Sequence, residues 1–110
     1  MSAGGRLSTH VLDTAGGRPA AGVAVEVLRD GVPVASAVTN ADGRTDEPLL
    51  AGDAFVPGTY EIVFAVGDYF GAEPRFLDRV PVRVTISDAG APHHVPLLVS
   101  PYGYTTYRGS

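Results

Sequence analysis

Short apolar runs that alternate with polar or small residues recur along this chain, and glycine or proline ends each one before a helix can form. Residues 7–13 (LSTHVLD) make the first run, closed by a turn at Ala15-Gly16-Gly17. Strand periodicity puts Ser8, His10 and Leu12 on one face, with Thr9 and Val11 on the other. Val23, Val25 and Val27 then alternate with small or polar neighbours, which predicts a strand buried on one side. Asp30-Gly31 is a hairpin dipeptide leading into a strand over residues 32–39. Asn40-Ala41-Asp42-Gly43 forms a second turn and delivers Arg44. After Pro57-Gly58 comes a strongly apolar strand over residues 59–66. Residues 68–77 break the alternation and predict one short helix, starting near Asp68 and ending before Arg79. Strands over 80–86, 95–100 and 102–107 complete the pattern. The helical content is too small for a parallel α/β sheet, which needs a crossover for every strand pair. The expectation is an all-β, antiparallel Greek-key sandwich with one short helix.

Composition narrows the partners. With 110 residues, 45% hydrophobic and 18% charged, the chain reads as one globular domain over 1–110, without repeats or linkers. Its eight basic residues are scattered singly against a net charge of -4, so no cationic stripe could track a phosphate backbone. Nucleic acid is therefore not an expected partner. Cysteine is absent, which excludes disulfides, thiolate nucleophiles and cysteine-based zinc sites. No run approaches the ~20 apolar residues of a membrane span. The opening MSAGGRLSTH lacks the apolar core of a signal peptide, so the expected compartment is the cytoplasm, away from membranes.

Few residues remain that could do chemistry. The histidines are His10, His93 and His94. On a strand, His93 shares a face with Val95, Leu97 and Val99, while His94 points out with Pro96, Leu98 and Ser100. Two adjacent strand residues cannot face one site, so His94 is the functional candidate and joins His10 on a non-core face. No HxH, HExxH or dense acidic cluster occurs, and no metal site is expected. There is no GxSxG elbow for serine chemistry. Arg44 reads either as a solvated turn charge or as a planar donor fork for a carbonyl-rich ligand, and spacing does not choose. The ending Tyr104-Thr105-Thr106-Tyr107-Arg108-Gly109-Ser110 is unusually rich in hydrogen-bonding groups and reads as docked at a site.

These motifs resemble those of the transthyretin-like fold, and within it the 5-hydroxyisourate hydrolase family. The resemblance is carried by residues 7–13, by the TNADGR turn at 39–44, and by Gly67-Asp68-Tyr69-Phe70 ahead of the helix. It is strongest at His94-Val95-Pro96-Leu97-Leu98, Ser100-Pro101-Tyr102-Gly103-Tyr104 and Tyr107-Arg108-Gly109-Ser110. Where the family often has His-Tyr-His before Val-Pro-Leu, this chain has Pro92-His93-His94, so the first histidine is lost. The resemblance implies a prealbumin-like sandwich that hydrolyses 5-hydroxyisourate to 2-oxo-4-hydroxy-4-carboxy-5-ureidoimidazoline, without metal or organic cofactor. It further implies His10, Arg44 and His94 as catalytic residues, and Tyr107, Arg108 and Ser110 at the substrate. The implied assembly is a homotetramer, a dimer of dimers, with sites at the dimer-dimer interface. Catalytic groups on the outer face of a sandwich would need another copy to enclose them. Two other readings share the fold, a transthyretin-type small-molecule carrier and a prealbumin-like structural module. The module gives no reason to keep His10, His94 and a terminal YRGS together, and the Tyr107 phenol near the channel mouth would make a carrier's cavity shallow.

Overall fold

The computed structural model describes residues 5–71 and 76–109. It is a two-sheet sandwich. The strands are β1 (Arg6–Asp13), β2 (Arg18–Pro19), β3 (Ala24–Arg29), β4 (Val32–Val38), β5 (Leu50–Ala51), β6 (Gly58–Ala65), β7 (Arg79–Ile86), β8 (Pro92–Ser100) and β9 (Gly103–Thr106). One sheet runs β2-β1-β8-β9 with β5 on the start of β1, and the other runs β4-β3-β6-β7.

Alternation fills the space between the sheets. Leu7, Val11, Leu97 and Val99 from the first sheet meet Val25, Val27, Tyr60, Ile62, Phe64 and Val80 from the second. Polar groups that enter this interior are bonded. Thr9 donates to the Val95 carbonyl at 2.7 Å, and Thr39 donates to the Ala20 carbonyl while accepting from the Val23 amide. Buried Asp13 accepts the Gly16 amide at 2.7 Å and the Tyr69 hydroxyl at 2.8 Å. Asp13 thereby ties the α-helix α1 (Val66–Phe70) to the end of β1.

Three features differ from expectation. The helix starts at Val66 rather than near Asp68, and its expected continuation falls partly outside the described residues. The short pairings β2 and β5 had no alternation to announce them. The third difference bears on the site: β1 and β8 pair in parallel, inside sheets otherwise antiparallel. A parallel pair needs a long crossover, not necessarily a helix. Here the whole β3-β4-β6-β7 sheet lies between the two strands and serves as that crossover.

The Asp30-Gly31 hairpin forms as expected, with φ of 51° and 84° at the two turn residues. Positive φ at both positions is the primed turn that matches strand twist.

Candidate active site

Parallel pairing of β1 with β8 sets the site's geometry. Ser8 is the direct partner of His94, and His10 that of Pro96. All four project from the sheet's outer face, because the inward positions are Leu7, Thr9 and Val11 on β1 and Val95 and Leu97 on β8. His10 and His94 thus lie one strand apart and two residues along, roughly 8 Å between Cα atoms for ordinary strand spacing.

His94 is held on two sides. Its Nδ1 lies 2.9 Å from the Ser8 hydroxyl oxygen. Its backbone carbonyl accepts the Gly109 amide at 2.7 Å. This last bridge keeps the offset of the β8–β9 ladder, in which Leu97 faces Thr106. On that offset Tyr107 falls opposite Pro96, on the His94 face, and Arg108 falls opposite Val95. The C-terminal segment is docked along β8 through Gly109. Ser110 lies outside the described residues.

Arg44 comes from the turn. The Gly43 amide donates to the Asn40 carbonyl, and the Asn40 side-chain oxygen accepts the amides of Asp42 and Arg44. Gly43 takes φ 75°, and its carbonyl accepts the Val11 amide at 2.8 Å, which sets Arg44 beside His10 in a bridge to β1. Arg44 is exposed, and among the described residues its guanidinium has no carboxylate within ion-pair distance. That leaves its donor fork open to a ligand.

Electrostatics distinguish His94. Burial lowers its pKa below the ordinary histidine value, and the charges of Arg44 and His10 push it further the same way. At neutral pH the ring is therefore uncharged, as a base or neutral donor must be. His93 is a separate matter. It projects inward, donates from Nε2 to the Asp88 carbonyl at 2.8 Å, and meets Phe55 edge-on at 5.8 Å between ring centres. The single-face rule thus separates the two neighbours as expected.

Among the described residues the candidates border two separate hollows, and His10 lines neither. A cleft of about 310 Å³ between the open edges of the two sheets takes in His94, Tyr107 and Arg108. A shallower hollow of about 170 Å³ takes in Ser8 and Arg44 beside Asp46 and Glu47. Among the described residues no three His, Asp or Glu side chains converge on a point that could hold a metal ion. Strand alternation put Ser8 on the His10 face without assigning it a partner. Its contact with His94 depends on the register of β1 against β8.

The sequence matches the family described as HIUase/Transthyretin over residues 7–109. The chain belongs to that family. Among curated members, 5-hydroxyisourate hydrolase 2 of Rhizobium meliloti (strain 1021) is 53% identical, with 100% of each chain covered. A solved 5-hydroxyisourate hydrolase of Klebsiella pneumoniae superposes with a TM-score of 0.86 at 35% identity, covering 96% of this chain and 99% of that one. A solved (S)-allantoin synthase gives a TM-score of 0.91 at 40% identity over 99% of this chain. This chain spans only 45% of the synthase, so there the family domain is part of a longer protein.

Proposed function

We propose that this protein is an enzyme of urate breakdown that hydrolyses 5-hydroxyisourate to 2-oxo-4-hydroxy-4-carboxy-5-ureidoimidazoline. The observation that carries this is the placement of two histidines on one outer sheet face beside an arginine with no ion-pair partner among the described residues, in a chain 53% identical over its full length to a protein named 5-hydroxyisourate hydrolase 2. Hydrolysis here opens a cyclic amide. Water adds to a carbonyl carbon, the carbon–nitrogen bond breaks, and the departing nitrogen takes up a proton. Water is a weak nucleophile at neutral pH, and a base within hydrogen-bond reach contributes about 10²–10⁴-fold. His10 and His94 jointly supply proton transfer. Arg44 binds the substrate carbonyls and offsets charge developing on oxygen. Tyr107, Arg108 and Ser110 close the pocket from the C-terminal side.

His94, Tyr107 and Arg108 border one open hollow and Arg44 another, which supports a site completed by a second copy of the chain. In this reading one domain spans residues 1–110, the working form is a tetramer with sites between dimers, and the compartment is the cytoplasm. The test generates 5-hydroxyisourate in place from urate and urate oxidase and follows its ultraviolet decay. Decay accelerated in proportion to protein, and cut at least about 100-fold in His10→Asn with the assembly intact, is the expected result. Decay at the spontaneous rate with folded protein would overturn the function. Full activity in His10→Asn would overturn that residue's role.

A further inference from the structure

We propose that Ser8 is a positioning residue that assigns separate roles to the two histidines: its hydroxyl donates to Nδ1 of His94 and holds that ring with its proton on Nε2. The inference deepens the hydrolase reading and rests on it for its catalytic consequence.

The argument begins with the pairing. Ser8 and His94 are direct partners across the parallel strands, and their side chains meet at 2.9 Å. A neutral imidazole has one N–H and one lone pair, and a hydroxyl can serve either. Ser8 has no other hydrogen-bond partner among the described residues, so its proton is free to go to Nδ1. An imidazole nitrogen is a stronger acceptor than a hydroxyl oxygen, which favours this direction over the reverse. The ring is neutral because it is partly buried and because the Arg44 guanidinium faces it. Tyr107 and Arg108 border it on the cleft side, and Asp46 and Glu47 line the hollow beside Ser8.

A second contact stops the ring from turning away. A Cβ placed on Gly109 would lie 2.6 Å from Cδ2 of His94, so the bare backbone of Gly109 packs against that edge. With Nδ1 filled by Ser8 and Cδ2 covered by Gly109, the group left for a ligand is Nε2–H. His94 is then the hydrogen-bond donor of the pair, aimed at the carbonyl oxygen that gains charge. His10 is the base. It takes the proton from water as oxygen adds to the carbonyl carbon, and returns it to the nitrogen as the carbon–nitrogen bond breaks.

The test is nitrogen-15 NMR of the full chain labelled at histidine. With three histidines in the sequence, His10→Asn and His94→Gln assign every signal. The expected wild-type spectrum shows His94 with an unprotonated Nδ1 and a protonated Nε2. Ser8→Ala should give a mixture of tautomers and lower kcat by about 10- to 100-fold, with KM near the wild-type value. Ser8→Thr, which keeps the hydroxyl, should restore both. A proton on Nδ1 in the wild type overturns the proposal, as does a Ser8→Ala variant with unchanged spectrum and kcat. A changed tautomer with unchanged kcat overturns the division of roles. The spectrum requires no turnover, so a wild type that fails to hydrolyse 5-hydroxyisourate sinks the proposed function while the tautomer is still judged on its own signals.

Discussion

Replacing Gly109 by alanine should disable the site while leaving the fold in place. A Cβ there would meet His94 at 2.6 Å from Cδ2 and 3.2 Å from both Cβ and Cγ. Non-bonded carbons settle about 3.5–4.0 Å apart, so the ring or the terminal segment must give by roughly 1 Å. The segment is pinned, since the Gly109 amide bonds the His94 carbonyl and Thr106 donates to the Pro96 carbonyl at 2.7 Å. The ring therefore takes much of the movement. A misplacement of about 1 Å at a reacting centre costs on the order of 10²-fold in rate. Stability should change little, because Gly109 follows the last strand. A Tm loss below about 4–8 °C corresponds to less than ~1 kcal/mol in a domain of this size. The assay is the coupled ultraviolet decay, run beside a thermal melt. Gly103→Ala is the matched control, because a Cβ at that position of β9 meets nothing within 4 Å. It should keep wild-type kcat. Wild-type kcat in Gly109→Ala, or an equal loss in Gly103→Ala, would refute the idea that the terminal ladder positions His94.

Further outcomes follow from other contacts. Arg44→Ala should lower kcat by about 10²–10³-fold through the lost donor. Because the Arg44 charge helps hold the His94 pKa down, the same variant should raise it, as read by NMR titration. Below pH 6.5 the unfolded chain binds a proton at residue 94 that the folded protein still refuses. Stability from this source is complete above pH 6.5 and falls as the pH drops towards the lowered value, so the fall in urea midpoint between pH 7.5 and 5 should shrink in His94→Gln. Tyr60→Phe removes a fully buried hydroxyl that donates to the Val56 carbonyl at 2.7 Å and accepts from its amide. It should cost about 1–2 kcal/mol, visible in the melt, with activity per folded molecule retained. Deleting residues 107–110 should abolish hydrolysis, whereas full activity in that truncation would show that the C-terminus takes no part.

Alternation along single strands was enough to place His10 and His94 on outer faces and His93 inside, because successive side chains on a strand must point to opposite sides. The hairpin at Asp30-Gly31 and the turn that delivers Arg44 were equally legible, since each depends on the backbone freedom of a few adjacent residues. The sequence read on its own therefore determined the sandwich class, the inward residues of β1, β3 and β8, and the handful of side chains able to do chemistry. Only the tertiary structure decided which of these meet. Ser8 and His94 are 86 residues apart in sequence, and their contact follows from the parallel register of β1 on β8. No local rule specifies that register, because it results from packing two complete sheets against each other. Strand β8 reaches back to Pro92, and so includes His94, because β1 offers it a full edge to pair with. The closeness of Gly109 to the His94 ring likewise depends on where the last segment lands. Faces are fixed by a period of two along one strand, whereas neighbours are fixed by the distant strand that pairs with it.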